Sequence, residues 1–550
     1  MNSFCEECGH KLNPGDIFCE ECGNPVENQD TDNKRSKPQN GVLNWEFFLS
    51  KRSPNSPEVN ETCFGILLTN FKQFETKFGP SGVALLKQHL NQYLDNLKAY
   101  GIYYLVLDAS DNYLKTPNAK NWKQHVSLLC KAIKRVKSQL KESVYFICVL
   151  GGDEIIPMPV FDTPVPLGED KDIDSDLPYS TLSVYSPDEK AEARQPQVAM
   201  GRIPTGIDTS VDTLSRYFKN AIEALGNFQT PKTFGLSAYC WKGASQEVNS
   251  RVCNNNLYLS PALTLDNINQ HYSPDTNIHY FNLHGGSNTR YWYGDDGQSQ
   301  PQAFSPRELS QSRVNNVVGV EACYGARFIN LKTDESVLLT ALANRTVSFV
   351  GSSRIAIGPS APPINYADIV IHDFLGHLQN GVPSGEAFVR ARQHVLEHNM
   401  STSPQSGLLS LMEFNLFGDP AFTIFSDTEK NMSAKSAPEQ KIFVDADALC
   451  DFPEQDLELP KEIRTTQNSL YGMVSQAVDA AQQRITELIN KKVWEKYPDF
   501  KNISPSCLKF NFGGKSYNQL AYHKKQDVFD KVLLVDYDSQ GTITDENESK

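Results

Sequence analysis

The chain has 550 residues, with 52 Lys and Arg against 66 Asp and Glu, and therefore a formal charge of −14. Its 39% hydrophobic and 21% charged residues are typical of a globular protein and exclude a disordered or fibrous chain. The negative charge disfavours a general nucleic-acid coat, and no apolar run reaches the ~18–20 residues of a membrane span.

The twelve cysteines are distributed unevenly along the chain. Four lie within the first 22 residues, and the others are scattered singly. Scattered single thiols in a large chain indicate a reducing compartment. The first residues have neither the basic nor the apolar region of a secretion signal, so we expect a cytoplasmic protein.

An internal repeat opens the chain: Phe-Cys-Glu-Glu-Cys-Gly occurs at 4–9 and again at 18–23. Each copy offers two thiolates, and four thiolates suit a closed, tetrahedral Zn²⁺ site that stabilises the fold. A redox Cys-x-x-Cys pair would need a βαβ context for which this segment is too short. The predicted zinc ligands are Cys5, Cys8, Cys19 and Cys22.

The repeat resembles the short zinc ribbons found at the start of many prokaryotic proteins, which predicts a ribbon over 1–26. A polar linker follows at 27–43. The ribbon is rich in Glu and Asp and would repel phosphate, so we expect it to contact protein and not nucleic acid.

From about residue 44 to 425, short apolar runs alternate with amphipathic stretches. Buried strands are predicted at 102–108, 144–150, 198–203, 278–283, 314–320 and 346–351. Helices are predicted at 82–99, 122–141, 209–225, 335–344, 365–379 and 384–399. This alternation predicts an α/β fold with a mostly parallel sheet flanked by helices. In such sheets functional groups collect beyond the carboxyl ends of the strands.

Two of these strand ends carry reactive side chains, His284 and Cys323. A histidine can act as the base that raises the thiolate fraction of a cysteine nucleophile. Glycine follows each closely, so the backbone N–H groups of Gly285 and Cys323 are candidate donors to an oxyanion. A lone Cys and His at strand ends are more often unrelated core residues, so the pair alone does not decide.

Further motifs surround this pair in a fixed order. They are Leu-Gly-Gly-Asp at 150–153, Ser-Asp-Leu-Pro-Tyr at 175–179, Met-Gly-Arg-Ile-Pro at 200–204, His-Gly-Gly at 284–286, Glu-Ala-Cys-Tyr-Gly at 321–325 and Phe-Gly-Asp-Pro at 417–420. The set resembles the gingipain-like cysteine peptidases, relatives of the caspases, over about residues 60–425. The resemblance implies a caspase-hemoglobinase-like peptidase domain at 44–425.

Carried over to this sequence, the resemblance makes Cys323 the nucleophile and His284 the general acid/base, with no cofactor needed for the peptidase chemistry. It places an acidic residue of the Ser-Asp-Leu-Pro-Tyr segment in the S1 pocket, so Asp176 predicts cleavage after Arg or Lys. The alternative is that Asp176 is one of several Asp residues in a polar loop. Asp153 and Glu154 stay open as residues that orient His284.

Together these features predict an intracellular endopeptidase that cleaves specific proteins in a regulated bacterial signalling or defence pathway. The expected partner is a protein substrate, with no membrane or nucleic acid. The activity is expected to be controlled, and three means stay open: an autoinhibiting loop, an activating or inhibiting protein partner, or exosites on the outer domains. The alternative function is a catalytically idle caspase-like scaffold that acts by protein–protein binding. A nucleic-acid sensor built on the ribbon is disfavoured by its acidity.

The C-terminal region is predicted to be a polar linker at 426–463 and a small α+β domain at 464–550. An amphipathic helix is expected at 465–492, with strands at 507–512, 519–523 and 528–537. Residues 536–547 partly match a calcium-binding EF-hand loop, but Asn547 stands at the twelfth position and a strand precedes the match. A hairpin turn with an acidic tail is favoured, and no function is indicated.

Overall fold

The computed structural model describes several stretches of the chain, all within one unit. They are residues 63–98, 100–109, 122–140, 143–167, 170–182, 198–225, 231–253, 256–399, 403–424, 443–445, 480–512, 515–526 and 528–550. None of the helices within these stretches combines the length and apolar character needed to cross a membrane.

The strands, in chain order, are β1 (Cys63–Thr69), β2 (Ile102–Asp108), β3 (Val144–Leu150), β4 (Val160–Leu167), β5 (Asp170–Asp174), β6 (Ala199–Ile203), β7 (Thr233–Ala238), β8 (Tyr258–Ser260), β9 (Ile278–Asn282), β10 (Trp292–Tyr293), β11 (Gln302–Phe304), β12 (Asn316–Val320), β13 (Thr346–Ser352), β14 (Ile357–Gly358), β15 (Phe414–Gly418), β16 (Phe443–Asp445), β17 (Ser506–Phe512), β18 (Lys515–Lys524), β19 (Lys531–Tyr537) and β20 (Ile543–Ser549).

The α-helices are α1 (Phe71–Lys98), α2 (Trp122–Leu140), α3 (Leu177–Thr181), α4 (Val211–Ala224), α5 (Lys242–Val252), α6 (Pro306–Ser310), α7 (Val337–Ala343), α8 (Ala367–Gln379), α9 (Ser384–Asn399), α10 (Pro404–Glu413) and α11 (Ala480–Lys496).

The central sheet has the order β16-β2-β1-β3-β6-β15-β13-β12-β9-β7-β8 among the described strands. The pairs are parallel except β13 with β15, so two parallel halves run in opposite directions and meet at that pair. Its strands are buried along nearly their whole length, as in β3, β9 and β12, because helices cover the sheet. The predicted mostly parallel sheet flanked by helices is confirmed.

The predicted strands of this sheet lie within a residue or two of the observed ones. The helix predicted at 82–99 is longer in the structure, where α1 begins at Phe71 and is kinked at Gly79. Within the linker predicted at 426–463, residues 443–445 form the edge strand β16, which pairs with β2.

The C-terminal module, as we call the described residues from 480 to 550, contains α11 and the four strands β17–β20. These strands form an antiparallel sheet that β14 extends to five strands, in the order β14-β20-β19-β18-β17. The strand β14 belongs to the predicted peptidase part, residues 44–425. Side chains alternate between the two faces of the sheet: Leu520 and Leu533 pack with Ile489 of α11, whereas Val532 and Leu534 join the core of the predicted peptidase part. The module is thus packed against that part through one face of its sheet.

Candidate active site

The central sheet brings the predicted reactive pair to neighbouring strand ends. β9 and β12 are adjacent and parallel, and His284 and Cys323 follow them closely, so both lie at the same edge. A Cβ atom on Gly285 would lie 1.9 Å from the carbonyl oxygen of Cys323. The two loops therefore touch backbone against backbone, at a position where only glycine fits.

The imidazole of His284 is buried and held on several sides. Its Nε2 lies 3.1 Å from Oδ2 of Asp295. Its ring meets Trp241 edge-on, with centroids 4.3 Å apart, and stacks on Phe529 of the C-terminal module at 4.4 Å. A backbone bridge to Tyr293 fixes the loop. Because Nε2 faces Asp295, Nδ1 is the ring nitrogen available for proton exchange.

Asp295 and Lys531 set the charge around this imidazole. The Nζ of Lys531, also from the C-terminal module, lies 2.6 Å from the same Oδ2 of Asp295. Burial acts to raise the pKa of Asp295, but His284 and Lys531 outweigh it and hold that pKa well below its usual range. Burial lowers the pKa of His284 and the charge of Lys531 lowers it further, whereas the hydrogen bond to Asp295 raises it by less. A neutral imidazole therefore lies beside an ionised carboxylate.

Cys323 is buried, and its backbone N–H points at a carbonyl oxygen of the chain itself. That N–H donates to the carbonyl oxygen of Lys550 over 2.7 Å. The Sγ of Cys323 lies 3.5 Å from the carbonyl oxygen of Ala356. The amide of Cys323, predicted as an oxyanion donor, thus already has a carbonyl oxygen of the chain as its acceptor.

The side chain of Lys550 fills a closed acidic pocket. Its Nζ lies 2.7 Å from Oε2 of Glu321 and 2.5 Å from Oδ1 of Asp368. All three side chains are fully buried. A Cβ on Gly358 would lie 2.4 Å from Cε of Lys550, so the backbone of Gly358 forms a wall, and the ring of Trp241 lies 5.7 Å from Nζ. The pocket fits the length and charge of a lysine side chain.

Charge in this pocket is balanced between two carboxyl groups and one ammonium. Burial lowers the pKa of Lys550, but Asp368 and Glu321 outweigh burial and raise it above its ordinary value. Burial and the neighbouring Asp368 raise the pKa of Glu321, more than Lys550 lowers it. The lysine therefore stays protonated, and Glu321 is a carboxyl group for which protonation is favoured.

The segment that ends in Lys550 lies along the site as an extended strand. β20 pairs antiparallel with β14, with Ser549 opposite Ile357 and Glu548 opposite Gly358. The backbone N–H of Lys550 continues this ladder by donating to the carbonyl oxygen of Ala356 over 2.9 Å. Strand addition of this kind is how many peptides bind a sheet edge, with pockets selecting their side chains.

Asp176, predicted to form the S1 pocket, instead forms a buried ion pair with Arg202. Its two carboxylate oxygens accept from Nε and Nη2 of Arg202, over 2.8 and 2.6 Å, and both side chains are buried. Arg202 also donates to the carbonyl oxygens of Gly151 and Ile156. The S1 prediction for Asp176 is corrected accordingly: this carboxylate fixes loops through Arg202, and the acidic residues that face Lys550 are Glu321 and Asp368.

The carboxylates left open as partners of His284 also have other roles. Asp153 accepts from the backbone N–H of Met158 over 2.8 Å, and Glu154 accepts from the hydroxyl of Thr205 over 2.7 Å. The carboxylate at His284 is Asp295.

Three residues of the site were missed in the sequence: Asp295, Glu321 and Asp368. Glu321 carries a detectable signal, because it directly follows the apolar strand β12, two residues before Cys323, and is therefore buried at the sheet edge. Asp368 stands in the first turn of α8, and Asp295 lies in a loop after β10. Only the fold brings these two to the site.

Three side chains could together hold a metal: donor atoms of Cys240, His284 and Asp295 lie within 4.8 Å of one another. However, the ammonium of Lys531 contacts the same carboxylate oxygen of Asp295 that faces His284. The group is better suited to hydrogen bonding than to metal binding.

The zinc ribbon prediction lies outside the described residues, as does the linker at 27–43. Cys5, Cys8, Cys19 and Cys22 therefore remain predicted ligands.

The fold and the site together define the class: a thiol and an imidazole at adjacent strand ends of a caspase-like sheet characterise a cysteine endopeptidase. The model of peptidase family C25 matches residues 80–425, and the chain belongs to that family.

Solved structures of similar architecture include the Arg-specific cysteine proteinase gingipain R, at 14% identity with a TM-score of 0.47, covering 68% of this chain and 81% of that one. A structure described as a protease matches at 11% identity with a TM-score of 0.45, covering 89% of this chain and 97% of that one. A search of curated proteins found no significant match.

Proposed function

We propose that this chain cleaves protein substrates after a basic residue, lysine in particular, with Cys323 as nucleophile and His284 as general acid/base. The observation that carries the proposal is the position of Lys550. Its carbonyl oxygen accepts from the amide of Cys323 while its side chain pairs with Glu321 and Asp368. One residue thus occupies both the oxyanion position and the acidic pocket, as the P1 residue of a substrate would.

The proposed reaction begins with proton transfer from the Cys323 thiol to Nδ1 of His284. The thiolate attacks the scissile carbonyl carbon, and the oxygen that gains charge is stabilised by the N–H of Cys323, with that of Gly285 as the proposed second donor. His284 gives its proton to the leaving amine, and the C–N bond breaks to leave a thioester. Water, deprotonated by His284, then hydrolyses the thioester and restores the thiol. Asp295 stabilises the imidazolium that forms between these steps.

In this proposal, the preference for a basic P1 residue comes from the cost of leaving the buried acidic pocket without a positive charge. A substrate with an uncharged P1 side chain would leave Glu321 and Asp368 buried without a cation, and sites of this kind reject such analogues by about 10⁴–10⁵-fold. The backbone wall at Gly358 limits depth, because Cε of Lys550 already lies close to it. This geometry narrows the predicted preference for Arg or Lys to lysine.

A regulated intracellular role on specific proteins, in bacterial signalling or defence, remains part of the proposal. It is supported by the scattered thiols and by the additional modules attached to the peptidase part. The idle-scaffold alternative is less well supported, because protein–protein binding does not need a buried imidazole between Asp295 and two aromatic rings.

The test compares amide reporters that carry Lys, Arg or Gln at P1, at saturating concentration. Wild type is expected to cut the lysyl reporter fastest and the Gln reporter at background. Cys323→Ala should lower turnover by about 10⁴-fold or more, as loss of a nucleophile does. Cys240→Ala is the matched control, because it removes a second thiol near His284 and should retain activity. Loss of activity in Cys240→Ala alone, or equal rates for Lys and Gln, would contradict the proposal.

A further inference from the structure

We infer that the segment Ile543–Lys550 is a built-in occupant of the substrate site, which protein substrates must displace before they are cut. This inference rests on the proposed peptidase function, and it adds what fills the site in the resting chain. The kind of ligand the site takes is an extended, acidic peptide strand with lysine at P1.

The first support is that backbone and side chain are engaged together. β20 completes a ladder on β14, and the N–H of Lys550 extends it to Ala356. The carbonyl oxygen of Lys550 then accepts from Cys323, and its Nζ reaches Glu321. A contact that merely covered the site would not require this register.

The second support is that the same module closes the site around His284. Phe529 stacks on the imidazole, and Lys531 pairs with Asp295, which holds His284. A Cβ on Gly286 would lie 2.5 Å from the carbonyl oxygen of Val528, so the loop before β19 contacts the loop that carries His284. The C-terminal module therefore lies over both halves of the reactive pair.

A tethered occupant competes with substrate at a high effective concentration, of the order of mM for short flexible connections. Such competition raises the apparent KM and leaves kcat unchanged, since a saturating substrate displaces the strand. Replacing Lys550 removes the ammonium that Glu321 and Asp368 require, and this weakens the strand while the reacting groups remain.

The kinetic experiment compares full-length wild type, Lys550→Ala and Lys515→Ala with a lysyl amide reporter. Lys515 is an exposed lysine at the start of β18, so its replacement is the matched control. Lys550→Ala is expected to lower the apparent KM at least about tenfold with kcat nearly unchanged. Lys515→Ala should behave as wild type. Equal KM values for wild type and Lys550→Ala, or a loss of kcat in Lys550→Ala with its fold retained, would overturn the inference.

A binding experiment separates this inference from the peptidase proposal, because it needs no turnover. A fluorescent peptide with the sequence of residues 543–550 is added to Cys323→Ala, alone and combined with Lys550→Ala. Anisotropy should show saturable binding to the double variant, weak binding to the single variant and none for the peptide carrying Lys550→Ala. If the double variant binds the peptide in this way while Lys550→Ala with Cys323 intact cuts no reporter, the occupant would be supported and the peptidase proposal refuted. Equal binding to both variants would overturn the occupant.

Discussion

The imidazole of His284 depends on a charge that the peptidase sheet does not supply. Lys531 of the C-terminal module contacts Asp295, and Asp295 in turn faces Nε2 of His284. The ammonium of Lys531 favours the ionised form of Asp295 and disfavours a second positive charge on His284. Through Asp295, the module therefore affects the protonation of His284, the proposed general acid/base, which lies outside the module.

We predict that Lys531→Gln raises the pKa of His284. Glutamine can still donate to Asp295, but the positive charge that lowers the pKa of His284 is lost, so the imidazolium becomes easier to form. NMR titration of ¹⁵N-histidine-labelled protein in a Cys323→Ala background measures this pKa. Lys524→Gln is the matched control, since Lys524 pairs with Asp499 and not with Asp295. A His284 pKa that is unchanged or lower in Lys531→Gln would refute the prediction.

Sequence reasoning reached His284 and Cys323 because each directly follows an apolar strand, and parallel strands place such residues at one edge. The S1 prediction for Asp176 was wrong because the sequence does not show which cation pairs with a given carboxylate. Arg202 pairs with Asp176, but the sequence does not specify the path of the residues that lie between them in the chain. Asp295 could not be predicted for the same reason, since its contact with His284 depends on how one loop folds back.

At the level of elements, the short strand β14 provides the edge on which the site is built. Its two residues pair with β20, and Gly358 also lines the pocket that holds the Lys550 side chain. The same backbone thus sets the register of a bound strand and the depth of the pocket. Ala356, just before β14, accepts from the N–H of Lys550 and lies near Sγ of Cys323.

We predict that Gly358→Ala, introduced into Lys550→Ala so that no lysine of the chain itself competes for the pocket, lowers kcat/KM for lysyl reporters by about 10²-fold relative to Lys550→Ala, the cost of displacing a bound group by about 1 Å. The added Cβ would lie 2.4 Å from Cε of a lysine in the pocket, so the side chain must withdraw from Glu321 and Asp368. Alkylation of Cys323 by iodoacetamide, which does not enter the pocket, should persist and shows that the site is intact. An unchanged kcat/KM would contradict this role for Gly358.

Six strands of the central sheet were predicted because each is a continuous apolar run, and the helices predicted beside them are amphipathic repeats. The strands β1, β7, β8 and β15 were not predicted. In the C-terminal sheet β20 was not predicted either, and its residues, Ile-Thr-Asp-Glu-Asn-Glu-Ser, were interpreted as an acidic tail. Its polar side chains disfavour a buried strand locally. It forms because it pairs with β19 on one side and with β14 on the other. Whether such partners are available depends on the whole fold and cannot be seen in the local sequence.

At the scale of the whole molecule, the C-terminal sheet is bound to the peptidase part by polar as well as apolar contacts. Asp536 of β19 is buried and accepts from Nε2 of Gln405 in α10 over 3.0 Å, and from Gln519 of β18. Burial, together with the negative charge of Asp545, raises the pKa of Asp536 to about 8. The contact between the two parts therefore includes a carboxyl group that holds its proton near neutral pH.

We predict that Asp536→Asn stabilises the chain at pH 7.5, on the order of 3 kcal/mol, with a gain that shrinks toward pH 5. Between its unfolded pKa of about 3.9 and its folded pKa, Asp536 binds more proton in the folded state, so stability falls as pH rises through this range. Asparagine is uncharged at every pH, keeps an acceptor for Gln405 and avoids this loss. Thermal unfolding at pH 5, 6 and 7.5 measures the effect, with Asp538→Asn in the exposed turn after β19 as the control. A destabilised Asp536→Asn at pH 7.5, or a difference that does not vary with pH, would show that the carboxyl group is ionised in the folded chain and held by partners that an amide cannot replace.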